Sequence, residues 1–258
     1  MKRNIKSLKG YTIGATDGEI GKVDEFYFDD VSWTIRYLIV ETGNWLSGKK
    51  VLISPESFLP PDWENKIFHL NLTKEQIKHS PDIDTDQPVT RQEEIKLSHH
   101  YPWKSYWEGG LWGGGMGTTG MVMSTPLIAD DVMRDENEDD DARDADRGDH
   151  HLRSTKKTTG YYINARDGFV GEIADFIVDD HSWKIDFVVV DTGTWFHGKK
   201  VLISPLWIKE IDWQMDTVTL DTTVESIKNS PEYDPHKPVD DDYSTRLHDH
   251  YNNKVSLR

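Results

Sequence analysis

The stretch that begins at Gly10-Tyr11 returns at Gly160-Tyr161, and the register holds without a gap to Tyr101 and Tyr251. Roughly 40 of the paired positions are identical by direct count, far more than chance pairing gives. The shared pieces are specific: GKKVLISP at 48–55 and 198–205, and DGxxG at 17–21 and 167–171. Asp29-Asp30, Trp33 and Thr42-Gly43 recur as Asp179-Asp180, Trp183 and Thr192-Gly193. A unit of about 90 residues written twice is two small domains, not one large enzyme core.

Within each unit the apolar residues fall in short runs separated by turn signals, the spacing of an all-β domain. Asp17-Gly18 and Asp167-Gly168 read as tight turns. The strand expected over Ile20–Phe28 does not alternate cleanly, which places a bulge near Val23 and, in the second copy, near Ile173. Ile35–Val40 and Ile185–Val190 are β-branched and nearly continuous, as in a strand buried on much of both faces. Pro55 ends the strand Lys50–Ile53 because it cannot donate to a ladder. A hairpin around Asp62–Lys66 and a return strand over Ile67–Leu72 follow. Thr73-Lys74-Glu75-Gln76 is a capping-box pattern that opens a short helix stopped by Pro81. Five or six short strands must close, or nearly close, to avoid bare edges, so each unit reads as a small β-barrel.

The boundaries follow: a first unit over 1–101, a linker over 102–158, and a second unit over 159–258. The linker has two characters. Residues 101–123 combine aromatic residues with glycines, and residues 130–149 hold eleven acidic residues against three arginines, about half of the net charge of −16. The acidic part is too poor in apolar surface to offset its ordering entropy, so it is expected to be disordered. The aromatic part is either a flap that packs on its own barrel or a docking segment for a partner. Its candidate contact residues are Tyr101, Trp103, Trp107 and Trp112.

DGxxGxVxxxxxD, an aliphatic strand and a Gly-rich loop into KKVLISP together resemble the PRC-barrel family. The residues concerned are Asp17, Gly18, Gly21, Val23, Asp29, Ile35–Val40 and Lys49–Pro55, with their counterparts from Asp167 to Pro205. The IKxSP, PV and HY pieces that follow look like the extension of bacterial tandem members. The resemblance implies an all-β fold: two small PRC-like β-barrels in tandem, each with a short helical C-terminal extension, joined by the Gly/Trp-rich then acidic linker. It also implies a non-enzymatic, protein-binding or scaffold role. PRC barrels occur in the H subunit of photosynthetic reaction centres, which suggests as an alternative a part in assembling an electron-transport complex. They also occur in ribosome-maturation factors, where the barrel binds protein.

Composition narrows the classes further. With no cysteine, thiolate metal sites, disulfides and Cys nucleophiles are excluded, and a cytoplasmic location is expected. The basic start MKRNIKSLKG is followed by no apolar segment, so no signal peptide is expected, and no apolar run is long enough for a bilayer. Association with a membrane complex would then be peripheral. The acidic balance argues against binding nucleic acid through phosphates. An unknown protein partner, a pseudo-twofold pairing of the two barrels, or a homo-oligomer remain as the expected associations.

The candidate chemistry is thin. Asp29, Asp30, Asp179 and Asp180 are the only repeated carboxylate pairs singled out, and hard cations such as Ca²⁺ or Mg²⁺ want such oxygens. Adjacent residues point apart, however, and an Asp in a turn is ordinarily occupied by backbone amides. His99-His100-Tyr101 aligns with Asp249-His250-Tyr251, with His248 beside it and His150-His151 in the linker. One shared His per unit is short of the ligands zinc needs, so a packed tail is the simpler reading. A metal-dependent or hydrolytic protein built on the Asp-Asp turns or His-Tyr tails is the competing class. No cofactor is expected, because neither a GxGxxG nor a P-loop motif precedes a helix.

Overall fold

The computed structural model describes residues 1–81, 83, 89–101, 103–104, 106, 151–196 and 198–255. The chain divides into two compact units: Met1–His79 with His151–Arg258, and Ser80–His150. The first unit holds both copies. The first copy comprises β1 (Lys2–Asn4), α1 (Ile5–Leu8), β2 (Thr12–Ala15), β3 (Gly18–Asp29), β4 (Thr34–Glu41), β5 (Lys50–Ile53), β6 (Ile67–His69) and α2 (Lys74–Lys78). The unit Ser80–His150 contains α3 (Arg91–His100). The second copy comprises β7 (Leu152–Ser154), α4 (Thr155–Thr158), β8 (Tyr162–Ala165), β9 (Gly168–Asp179), β10 (Ile185–Asp191), β11 (Lys200–Ile203), β12 (Ile208–Asp212), β13 (Thr217–Leu220), α5 (Val224–Lys228) and α6 (Asp241–Val255).

The fold is mostly β. Two mixed sheets run β5-β4-β3-β2-β6 and β11-β10-β9-β8-β13-β12, with β2·β6 and β8·β13 parallel and the other pairs antiparallel. The expected bulges are present: the register slips between Val23 and Glu25 in the first copy and opposite Ile173–Asp175 in the second. The ladder does not run full circle. After β5 and β11, Pro55 and Pro205 enter a 3₁₀ turn capped by the Ser54 and Ser204 side chains, which carries the chain out of the ladder. In the first copy only the isolated bridges Phe58↔Leu70 and Asp62↔Ile67 continue the pairing there. The barrels are therefore curled sheets with an unpaired seam.

The glycines and aspartates of DGxxG have separate tasks. Asp17 Oδ1 accepts from Lys74 N at 2.8 Å, and Asp167 Oδ1 accepts from Val224 N at 2.8 Å, so each turn anchors the start of its copy's short helix. The capping box at α2 forms as expected, Thr73 receiving Gln76 N and the Gln76 side chain receiving Thr73 N.

The principal departure from expectation lies at the start of each copy. β1 pairs antiparallel with β9 of the second copy, Lys2–Asn4 opposite Asp179–Ile177. β7 pairs with β3 of the first, Leu152–Ser154 opposite Asp29–Tyr27. The two copies exchange their leading strands. Residues 152–158, placed above in the linker 102–158, are thus a strand and a helical turn of the folded unit. The helical turns lock the exchange by different chemistry. α1 buries Ile5 and Leu8, whereas α4 buries Thr155 and Thr158. Those hydroxyls are satisfied by Phe26 O at 3.1 Å and Ser154 O at 2.9 Å.

A second seam joins the copies at their Asp-Asp turns. Thr34 bridges Lys184, with Ile35 N donating to Trp183 O at 2.8 Å and Ile185 N to Trp33 O at 2.7 Å. Trp183 then enters the aromatic core of the first copy, its ring 5.2 Å from Phe58, 5.8 Å from Phe68 and 6.3 Å from Phe26. Phe28 meets Phe176 across the seam at 5.7 Å. The two copies thus interlock, with reciprocal strand exchange and backbone bonds but with the Trp183 ring inserted from the second copy into the first.

In the unit Ser80–His150, α3 is opened by a Thr90/Glu93 capping box. Its buried Glu94 pairs with Arg91 at 2.9 Å and accepts from the Tyr106 hydroxyl at 2.8 Å. Burial, followed by the Glu94 charge, raises the Tyr106 phenol far above its ordinary value.

Candidate functional site

The Asp-Asp turns are where local sequence and interlock meet. Asp29 Oδ1 accepts from Val31 N at 3.0 Å and from Ser32 N at 2.6 Å. Asp179 Oδ1 does the same with His181 N and Ser182 N, at 3.1 and 2.8 Å. This occupation of the first Asp lets Trp33 and Trp183 adopt left-handed backbone, φ 55° and 58°. The second Asp of each pair faces the incoming strand. Asp30 accepts from Arg153 Nε at 2.7 Å and meets His151 Nδ1 at 3.1 Å, while Asp180 accepts from Arg3 Nε at 2.7 Å.

Each arginine is also stacked on a tryptophan of its own copy. Arg3 lies 3.5 Å over Trp63 and Arg153 lies 4.0 Å over Trp213. Burial raises the Asp180 carboxyl, but its bonds to the Met1 amino group and Arg3 outweigh this and hold it below the usual carboxylate range. The four carboxylates considered as cation ligands are thus engaged by amides and guanidinium groups. Among the described residues no three His, Asp or Glu side chains gather in a metal-binding cluster.

A buried carboxylate stands behind each clasp. Glu25 accepts from Ser154 Oγ at 2.8 Å. Its counterpart Asp175 accepts from Phe176 N at 2.8 Å, Lys6 N at 3.1 Å and Asn4 Nδ2 at 3.2 Å. Burial outweighs these bonds and raises the Asp175 carboxyl. A raised folded-state value makes this group's contribution to stability fullest below the unfolded value and lost as pH rises through the folded one. The thermal midpoint of the wild type, measured relative to Asp175→Asn, is therefore expected to increase as pH falls from about 7 to about 4. A constant or decreasing difference in a calorimetric pH series contradicts this.

The His-Tyr tails are packing elements. Tyr251 is buried, its ring 4.2 Å from Trp207, and His250 Nε2 lies 2.8 Å from Ser226 O. Tyr101, in the other unit, is 1% exposed and stacks on Trp103 at 4.1 Å. Burial pushes its phenol up to about 12, a Ser80 hydrogen bond acting in the opposite sense. Of the aromatic contact candidates, Tyr101 is therefore turned inward and Trp103 is half-buried. Trp107 and Trp112 lie outside the described residues.

Residues 2–77 match the family model of the PRC-barrel domain. The first copy is a PRC-barrel domain. The match begins at β1, the strand that the first copy lends to the second. The second PRC-like copy is tied to it by the repeat and by the same order of strand pairing, β10-β9-β8-β13 against β4-β3-β2-β6. No curated protein matches the chain. Among the described residues, no helix is long and apolar enough to cross a membrane.

The two copies are not alike at their surface. A groove of about 400 Å³ lies at the seam, walled by Trp33, Phe187 and Pro205 and rimmed by exposed Val31 and Leu206. The residues equivalent to that rim are His181 and Glu56. On the outer face of the second sheet Tyr162 and Phe169 are exposed, their rings 6.0 Å apart, where the first copy carries Thr12 and Glu19. Only comparison of the copies at equivalent positions could have drawn attention to these residues. The adjacency of Tyr162 and Phe169 depends on the register of β8 against β9.

Proposed function

We propose that this chain is a non-enzymatic protein-binding or scaffold module, in which two PRC-type barrels are interlocked to present one composite surface. The observation that carries the reading is how the repeated residues are used. Both copies keep the Asp-Asp turns, the arginines of the exchanged strands and the tryptophans beneath them, and these are spent on the interlock. The copies differ inside as well as outside, but at the surface the differences set the apolar residues Tyr162, Phe169, Val31 and Leu206 where the other copy carries Thr12, Glu19, His181 and Glu56. Exposed apolar residues that cluster, as the Tyr162 and Phe169 rings do 6.0 Å apart, are the kind of surface feature that supports a protein contact.

The test is recovery of the tagged full chain from its native cells, with quantitative measurement of what accompanies it. A protein recovered in near-stoichiometric amount, competed by untagged chain, supports the reading. Recovery of the chain with nothing competable contradicts it.

A further inference from the structure

The outer face of the second sheet carries a charge defect that the first sheet lacks. Register-paired residues share a face, so one row across the second sheet reads Thr217, Tyr162, Glu172, Asp191, Lys200. The equivalent row of the first copy reads Ile67, Thr12, Lys22, Glu41, Lys50, in which opposite charges alternate. In the second copy two carboxylates, Glu172 and Asp191, stand directly opposite each other, an arrangement that disfavours the sheet. Lys200 lies beyond Asp191 at the other side, so Glu172 is flanked in the row by a carboxylate and by Tyr162. Tyr162 is 51% exposed and Phe169 is 39% exposed.

We infer that this face is a docking site for a partner protein's segment that presents an apolar side chain beside a lysine or arginine. The apolar side chain would lie on the Tyr162–Phe169 pair, and the cation would neutralise Glu172. The first copy shows that the fold accepts Thr, Glu and Lys at these three positions, so the fold does not require the aromatic pair or the misplaced carboxylate. A second copy of this chain is disfavoured as occupant, because self-pairing of the face sets Glu172 and Asp191 against their own kind. The inference rests on the binding reading proposed above and names one surface for it.

The experiment uses the full chain and two capped synthetic peptides, one with leucines interleaved with lysines and one with the same leucines interleaved with glutamates. Fluorescence anisotropy should show the lysine peptide binding at least about tenfold more tightly. Replacing the face by the first copy's residues, Tyr162→Thr with Phe169→Glu and Glu172→Lys, should remove that binding while the thermal midpoint stays within a few degrees. Asp241→Lys, which changes the net charge as Glu172→Lys does but lies on α6, should leave it. Equal binding of the two peptides overturns the site, as does retention by the triple variant. An equal loss with Asp241→Lys overturns it too, by showing attraction to bulk charge. Sedimentation showing a dimer that the triple variant abolishes would also overturn it. The two readings fail separately: a native partner still recovered with the triple variant removes this face, whereas no competable partner for the wild type removes the binding function.

Discussion

Trp183→Ala is expected to destabilise the folded unit by about 3–5 kcal/mol, the range for removing a buried aromatic ring. Trp183 belongs to the second copy, yet its ring is 7% exposed and is surrounded by Phe26, Phe58 and Phe68 of the first. Its loss opens a cavity in a core to which it is not adjacent in sequence. For a folded unit of this size, that corresponds to a fall in thermal midpoint on the order of 10 °C. Trp33 is the informative control. It occupies the equivalent turn at nearly the same φ, but is half-buried, stacks on Phe28 at 5.3 Å and walls the seam groove. Trp33→Ala should cost roughly 1–2 kcal/mol, because much of its surface already meets solvent. Calorimetry on both variants decides the matter. Equal losses would mean that Trp183 is not a shared core residue.

Gly21→Ala and Gly171→Ala should each cost about 3 kcal/mol or more, or prevent folding. A Cβ on Gly21 would lie 2.0 Å from the carbonyl oxygen of Glu41, and one on Gly171 would lie 2.1 Å from that of Asp191. Neither contact is a side-chain tip that can rotate away. The end of β4 or β10 would have to shift, and with it the ladder to β5 or β11. Gly10→Ala separates this steric effect from a conformational one. Gly10 has φ +78° with nothing within 4 Å of the added carbon, so only the left-handed backbone opposes the change. Its expected cost is about 1 kcal/mol. The second glycine of each DGxxG is therefore kept in both copies for close backbone approach, and a denaturant titration that ranks Gly10→Ala above Gly21→Ala would contradict that.

The strands, bulges and capping box were legible in the sequence because each has a local cause. Val23 and Ile173 break alternation where the register slips, and Thr73 with Gln76 has one favourable arrangement at a helix start. The Asp-Asp turns were legible as turns, and Asp29 and Asp179 do hold backbone amides. The role of Asp30 and Asp180 was not, because their partners Arg153 and Arg3 are more than a hundred residues away in sequence. The strand exchange was hidden for a related reason. Alternation tells which face of a strand is buried, but not which sheet receives it. β1 and β7 are also short, and 2–9 shares with 152–159 little beyond Arg3/Arg153 and Lys6/Lys156. The Tyr162–Phe169 face was visible only as scattered differences, Lys22 to Glu172 among them, until register placed them side by side.

The interlock of the two copies is the centre of this account, and a cysteine pair tests it directly. The chain contains no cysteine, so an introduced pair has no competitor. Thr34 and Lys184 are bridged between hydrogen bonds that run from Ile35 N to Trp183 O and from Ile185 N to Trp33 O. That pattern makes them a non-hydrogen-bonded antiparallel pair, with Cα atoms about 4.5 Å apart and within reach of a disulfide. Oxidised Thr34→Cys/Lys184→Cys should run as a monomer with no free thiol and should retain the wild-type circular dichroism. It should also unfold at or above the wild-type midpoint, losing that only on reduction. A pair that stays reduced under oxidising conditions, or that links only between chains, would show that the two copies do not meet at this seam.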